Sequence, residues 1–539
     1  MTRTASFRGV ADAFLETARR LGPAPAVVRG GEETSFAQLA EDVERLAGGL
    51  RRAGLEPGDR AALLVPPSRD LYALVFAMYR AGVVPVLVDP GLGLPAVGRC
   101  LAETEPKAFI GTPKAHLGRF LGKWAPTATV SVVADGKLPG MWDTRELRRM
   151  GAAGAGREAR PEELAAVLFT SGSTGPAKGV LYTHGMFAAQ VEALRALFDI
   201  KEGEVSIPTF PLFGLFDAAL GLTSVIPRMD FTKPARVDPM ELVRLAQGRR
   251  AQQLFGSPAL LDRLGRFGER FGIALPDLRR VMSAGAPVPA KVVIRVRKML
   301  APGVEVYTPY GATEALPVAL IGSEEILHGA DAACADGKGT CVGRPVPGVD
   351  ACVIPVSDGP VAAWDESLRL PAGAVGEVTV KGPMVSAAYW RRPEADAAAK
   401  IADGGGARHR MGDLGRFDAD GRLWFLGRKS QRVRASHGDM PTEGVEGVFN
   451  ALPAVRRSAL VGVGPAGAQT PVLCVEREPG QPIAEDALRR QLLELAQRRE
   501  VTRPVRVVLF HPGFPVDARH NAKIHRETLA AWAASELRR

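Results

Sequence analysis

Between Leu168 and Val180 the chain reads Leu-Phe-Thr-Ser-Gly-Ser-Thr-Gly-Pro-Ala-Lys-Gly-Val, and an apolar stretch at residues 165–169 runs straight into it. Glycines let a backbone curl so that several amide N–H groups face one point. Around Gly172 and Gly175, the hydroxyls of Thr170, Ser171, Ser173 and Thr174 add donors, and Lys178 adds a positive charge. This is a cradle for phosphate oxygens. It is not a Walker loop, which needs Ser or Thr after the lysine; here Gly179 follows. A flexible Gly/Ser linker is the alternative reading of the same composition. The apolar flanks argue against it.

Further segments with chemical potential follow in order. In Ser283-Ala-Gly-Ala-Pro287, the small residues Gly285, Ala286 and Pro287 let a flat base approach the backbone closely. In Tyr307-Thr-Pro-Tyr-Gly-Ala-Thr-Glu-Ala-Leu-Pro317, Tyr310 offers a ring to stack on a purine, next to Gly311. Thr313 offers a hydroxyl to a phosphate. Glu314 offers a carboxylate to Mg²⁺, which prefers one or two carboxylates plus phosphate oxygens. Asp413, in Arg410-Met-Gly-Asp-Leu-Gly415, is an acceptor for both ribose hydroxyls. Gly421-Arg-Leu-Trp-Phe-Leu-Gly-Arg428 leads into the last part of the chain, where Lys523 stands in a polar loop. Each piece alone has a plain reading: a turn, a helix stop, a solvated lysine. Their joint order argues against those readings.

The elements that must position these groups read as alternating helices and strands. Helical spacing covers residues 11–21, 35–53 and 71–81, and strands are expected at 60–65 and 83–88. A Gly/Ala linker at 151–156 precedes the loop. Helices are expected at 186–198, 239–251 and 290–300, and a strand at 281–283. This alternation indicates α/β layers with parallel strands. From about residue 340 short strands at 342–354, 376–380 and 422–426 between Gly/Pro turns indicate a small β-rich region. The expected fold is a large α/β N-terminal domain, residues 1–427, of two α/β layered subdomains plus that β-rich subdomain. A small α+β C-terminal domain, residues 428–539, follows.

Totals narrow the function classes. The 539 residues are 46% hydrophobic and 24% charged, an ordinary globular composition. No run approaches the ~18 apolar residues of a membrane span, and the N-terminus lacks a secretory apolar core, so an integral membrane protein is not expected and a cytoplasmic one is. The five cysteines are scattered and odd in number; Cys334, Cys341 and the nearby His328 fit no zinc spacing, and reduced thiols are expected. The net charge of +10 comes without a long basic tail or aromatic-interleaved basic patch, so nucleic acid is not an expected partner. Attraction to anionic lipid or other polyanions stays open.

On these motifs the chain resembles the adenylate-forming superfamily of acyl-CoA synthetases, luciferases and nonribosomal adenylation domains, over nearly its whole length. The resemblance implies ATP and Mg²⁺ and an active site between a large domain and a mobile C-terminal lid. It implies that residues 170–178 hold the β,γ-phosphates, with Thr170 and Glu314 at the metal, and Gly285, Ala286, Pro287, Tyr310 and Gly311 around adenine. Thr313 would hold the α-phosphate, Asp413 the ribose with Arg428 nearby, and Lys523 would bridge the acyl carboxylate and α-phosphate.

Departures from the superfamily pattern narrow the branch. Gly214 stands where many acyl-CoA ligases place a histidine, and a glycine there leaves room for a bulky acyl group. Ser430 stands at the usual hinge Asp or Lys, and the following segment, Val433 to Glu443, is about one residue short with its glycine displaced. In CoA ligases that glycine region lines the pantetheine tunnel. The chain is most similar to the β-lactone synthetases of bacterial olefin and β-lactone biosynthesis, in Pro211-Leu-Phe-Gly-Leu-Phe-Asp217, Thr308 to Val318, His409 to Gly415, Arg422 to Lys429 and Phe514 to Ile524. That resemblance implies ATP-dependent ring closure of a long-chain 2-alkyl-3-hydroxyalkanoic acid. Phe213, Gly214, Phe216 and Phe255 would lie at the acyl group, along with Phe210, Leu212, Leu215 and Leu254; ordinary core packing is the alternative for each. His184 and His409 are candidates by type alone for the base. A condensing enzyme, a reductase and an α/β-hydrolase decarboxylase are the implied partners. A fatty acyl-CoA or acyl-AMP ligase is the rival activity.

Overall fold

A computed structural model describes residues 7–152, 154, 156–170, 175–516 and 523–538. The alternation of short Val- and Ala-rich runs with amphipathic helices builds two sheets. The first has seven strands in the order Trp142–Asp143, Val130–Val133, Ala108–Gly111, Arg60–Leu64, Val84–Leu87, Leu164–Phe169, Gly179–Thr183. All neighbours are parallel except the last pair. The parallel strands are nearly continuously apolar because helices cover both faces. Among those helices, Phe36–Arg52 starts at Ser35 in a capping box with Gln38, and Arg69–Ala81 is buried on almost every side.

The second sheet has fourteen strands. Its parallel centre is Thr223–Ile226, Val205–Pro208, Gln253–Phe255, Arg280–Met282 and Glu305–Ala312. Helices Pro211–Leu220, Pro239–Gly248, Pro258–Phe271 and Ala290–Arg297 make the crossovers. The first and third of these were not expected from the sequence. The β-rich region after residue 340 joins this same sheet: Thr340–Pro345 pairs with Ala315–Gly322 on one side and Leu423–Arg428 on the other. The strand expected at 342–354 is two strands, Thr340–Pro345 and Asp350–Ile354. Pro345 and Pro347 remove ladder donors between them, and Gly348 takes φ +82°. The start of the expected linker at 151–156 is packed rather than free: Gly151 is buried, and a Cβ there would fall 1.7 Å from the Arg45 carbonyl oxygen.

The C-terminal region has its own three-stranded sheet, Val455–Val463, Thr470–Arg477 and Val507–Phe510, with helices Thr442–Asn450, Glu485–Gln497 and Arg526–Glu536. Phe449, Leu460, Leu473, Leu488 and Leu492 form its core. It meets the rest through ion pairs, Arg499 with Asp336 at 2.8 Å and Arg266 with Glu478 at 3.2 Å. Glu443, at the start of helix Thr442–Asn450, accepts a 3.3 Å hydrogen bond from Thr340 across this contact. Burial, and then the neighbouring Glu446, push its pKa up to about 7, against the pull of Arg526. Among the described residues no helix is long and apolar enough to cross a membrane.

One expectation is corrected here. Gly214 does not leave room for an acyl group. It lies in helix Pro211–Leu220 with its Cα against the interior, and a Cβ would meet the Tyr72 hydroxyl at 2.4 Å and Pro208 at 2.9 Å. The Tyr72 hydroxyl is itself fixed by a 2.6 Å hydrogen bond with Ser224. The missing side chain makes space for tyrosine.

Gly214→Ala is therefore expected to destabilise the fold by about 1–3 kcal/mol, the usual cost of overpacking, without changing the preferred acyl length. Thermal melts and a chain-length series check this, and Tyr72→Phe in the same chain should recover part of the loss. For Glu443 the sign follows from its raised pKa: the fold favours the protonated form, so stability is full below the ordinary carboxyl range and falls as pH rises through about 7. The melting temperature should drop between pH 6 and 8, and Glu443→Gln should flatten that slope.

Candidate active site

The residues that follow strand ends in both sheets come together on one cavity of about 1230 Å³. Val65, Val88 and Thr170 arrive from the seven-stranded sheet, and Thr209, Ser257 and Ala284 from the other. Crevices at the carboxyl ends of parallel strands are where open α/β sheets bind ligands.

The phosphate-cradle segment is closed at its base. Thr170 N–H donates to the Lys178 carbonyl at 3.0 Å, and Lys178 N–H donates to the Thr170 hydroxyl at 3.1 Å. Thr170, Gly175 and Lys178 line the cavity; Ser171, Gly172, Ser173 and Thr174 lie outside the described residues. The Lys178 ammonium stands 5.0 Å from the centre of the Tyr389 ring, within cation–π range.

Thr313 and Glu314 form the tip between antiparallel strands Glu305–Ala312 and Ala315–Gly322, where Ala312 pairs with Ala315. Three contacts hold the tip. The Tyr182 hydroxyl donates to the Thr313 carbonyl at 2.5 Å, Ser386 N–H to the Glu314 carbonyl at 2.8 Å, and the Tyr389 hydroxyl to Glu314 Oε1 at 2.7 Å. Among the described residues Glu314 Oε2 accepts no hydrogen bond. A carboxylate with one oxygen anchored and the other open to a cavity suits Mg²⁺, a hard cation bound by few protein oxygens. No cluster of three or more His, Cys, Asp or Glu among the described residues could hold a metal by itself.

Sequence reasoning missed Lys400. Its ammonium donates to the Ser386 carbonyl at 2.5 Å and lies 5.2 Å from the centre of the Tyr389 ring. Burial lowers its pKa to about 8; Glu314 and Asp396 oppose that shift and Lys178 adds to it. Two ammonium groups thus flank one tyrosine that holds Glu314. Nothing in the local sequence signals this, because Lys400 follows an alanine-rich helix, Pro393–Ala399.

Of the residues expected at the nucleoside, Gly285 and Gly311 line the cavity, whereas Ala286, Pro287, Tyr310 and Asp413 do not. The Tyr310 hydroxyl donates to Asp413 Oδ2 at 2.5 Å. The Arg428 guanidinium is 3.0 Å from Asp413 Oδ1, off hydrogen-bond geometry, and that buried oxygen has no hydrogen-bond partner. Burial raises the Asp413 pKa and Arg428 opposes it. An orphaned carboxylate oxygen beside a guanidinium fits an incoming ribose hydroxyl. Arg428, Thr313, Glu314 and Lys523 all line the cavity. Ile524, next to Lys523 in the chain, forms an antiparallel bridge with Val516.

Phe213, Phe216 and Phe255 line the apolar part, with the Phe213 and Phe255 rings 4.4 Å apart. Phe210, Leu212 and Leu215 join them, whereas Leu254 packs in the core under the second sheet. His184 is buried away from the cavity, edge-on to Tyr79, with its pKa lowered to about 4 by burial. His409 lines the cavity, and burial followed by the nearby Lys400 holds it neutral. Its Nδ1 lies 3.2 Å from the Ala399 carbonyl oxygen. With Nδ1 donating there, Nε2 keeps its lone pair.

Residues 14–390 match the AMP-binding enzyme family. Over 513 residues, 93% of this chain and 91% of the relative, the sequence is 48% identical to the olefin beta-lactone synthetase of Stenotrophomonas maltophilia (strain K279a). It is 46% identical, with the same coverage, to that of Xanthomonas campestris pv. campestris. The structure superposes on ATP-bound MatB from Rhodopseudomonas palustris with a TM-score of 0.78 at 25% identity, covering 98% of this chain and 99% of that one. The chain belongs to the AMP-binding enzyme family and is an ATP-dependent, AMP-forming ligase.

Proposed function

We propose that the protein closes a 2-alkyl-3-hydroxyalkanoic acid to its β-lactone at the expense of ATP. The observation that carries this reading is the 48% identity, across 93% of the chain, to a protein named olefin beta-lactone synthetase. In support, one cavity joins the charged groups Glu314, Lys178 and Lys523 to a phenylalanine-lined wall, as a triphosphate and a fatty acid together require.

In this reading residues 1–427 bind both substrates, and residues 428–539 act as a lid that presents Lys523. The loop from Thr170 to Lys178 holds the β- and γ-phosphates. Gly285 and Gly311, which line the cavity, hold the base, with Ala286, Pro287 and Tyr310 next to them in the chain; Arg428 faces the ribose with Asp413 beside it, and Thr313 takes the α-phosphate. Glu314 and Thr170 would hold Mg²⁺, whose chemistry there is to screen the triphosphate charge. Lys523 sits between the carboxylate and the α-phosphate and offsets the negative charge that grows as they approach. The carboxylate oxygen attacks the α-phosphorus, the bond to the β-phosphate oxygen breaks, and pyrophosphate leaves. The acid's own 3-hydroxyl oxygen then attacks the acyl carbon, AMP departs with its oxygen, and the hydroxyl proton is lost. An internal nucleophile carries a high effective molarity, which helps to offset ring strain. Condensing, reducing and decarboxylating enzymes are the partners this chemistry would need on either side.

Incubating the enzyme with ATP and a synthetic 2-alkyl-3-hydroxy acid, with and without CoA, tests the proposal. Lactone and AMP should form without CoA; a thioester appearing only with CoA would assign the protein to the acyl-CoA ligases instead. Lys523→Ala should slow pyrophosphate release by at least ~100-fold, the scale on which loss of one preorganised donor acts.

A further inference from the structure

A second apolar stretch of the cavity wall is built from a separate core, and we propose that it forms a limb that holds one alkyl arm of the acid and lets it out between helices Leu94–Glu103 and Pro113–Gly122. This rests on the lactone reading for the identity of the acid, which carries hydrocarbon on two adjacent carbons.

The wall divides between two separate hydrophobic cores. Phe213, Phe216 and Phe255 pack with the core shared by the two sheets. Leu64, Val88, Ala115, Trp124 and Phe169 belong to a different core, formed under the seven-stranded sheet, and also face the cavity. Arms leaving neighbouring carbons of one carboxyl-anchored molecule diverge, so each needs its own apolar wall. One limb would serve a single-chain fatty acid.

The second limb reaches solvent at Leu94, Leu117 and Leu121, which line the cavity yet are 63%, 59% and 73% exposed. With Phe120 at 82%, they are the four most exposed large apolar side chains among the described residues. Leu117, Phe120 and Leu121 share one helical face by their i, i+3, i+4 spacing. An apolar cluster of this kind in water marks a surface that takes an apolar ligand, and its continuity with the cavity identifies the ligand as the one inside. The ring on the passage wall is closely seated. Added Cβ atoms at Gly98, Gly118 and Gly122 would come 2.5, 3.0 and 2.3 Å from the Trp124 indole. Both helices give up side chains, and some helix propensity, to seat one flat ring on the cavity wall.

The test is a substrate series with a constant chain on carbon 3 and an arm on carbon 2 growing from methyl to dodecyl, read by pyrophosphate release. For the wild-type protein kcat/KM should rise by roughly threefold per methylene while the arm is being buried, then level off once it emerges. In Leu121→Glu, which places a charge on the exposed rim, the methyl substrate should react as before and the dodecyl substrate at least tenfold more slowly. Equal losses at every arm length, or none, would overturn the proposal. A terminal diazirine on the arm gives a second reading that does not depend on the product: cross-links within residues 94–124 support the passage, and cross-links confined to residues 210–255 refute it. If labelling falls within 94–124 but no lactone forms from any acid, the lactone reading fails and the passage stands as an acyl site. If Leu121→Glu instead dissolves a dimer of the wild-type chain and leaves the arm dependence intact, the exposed leucines serve self-association and the passage is wrong.

Discussion

The hydrogen bond from the Tyr389 hydroxyl to Glu314 fixes the one carboxylate on which the charged side of the cavity is organised. A carboxylate in a largely apolar crevice is costly unless it is paired or hydrogen-bonded. Here the pairing is indirect. Tyr389 anchors one oxygen, Lys178 and Lys400 flank the tyrosine ring, and the second oxygen stays open. The two ammonium groups and the half-buried Glu314 carboxylate thus balance one another across a single tyrosine. Burial lowers the Lys400 pKa to about 8, and Glu314 and Asp396 oppose that shift.

A second carboxylate shows a related arrangement. Asp413 is buried with one oxygen bonded to Tyr310 and the other without a hydrogen-bond partner, although Arg428 stands beside it. Burial raises the Asp413 pKa and the adjacent guanidinium of Arg428 opposes that rise, so the charge of this carboxylate is balanced chiefly by one neighbour.

Much of this arrangement was legible in the chain, for identifiable reasons. Buried parallel strands are apolar runs, and their covering helices repeat every 3.6 residues, so the alternation before residue 300 could be read directly. The motif glycines, Glu314 and Lys523 stand in distinctive local strings. What escaped reading depends on contacts between distant segments. Gly214 looked like space for a ligand because sequence does not show that Tyr72 fills that space. Helix Pro211–Leu220 was hidden by an aromatic, glycine-containing run with no polar face, and the break at residues 346–349 by an otherwise strand-like composition. Lys400 sits in no motif at all; only the fold brings it over Tyr389. Ala286 and Pro287 were readable as a motif, but the cavity wall takes only the adjacent Gly285.

The seat of Trp124 has a mechanical consequence. The indole is gripped by glycines from two helices at once, so neither helix can shift to widen the gap unless the other follows. In the passage proposed above, such a seat would gauge cross-section: it would be indifferent to how far a thin, flexible strand of carbon extends beyond it and would turn away branching or bulk near the ring.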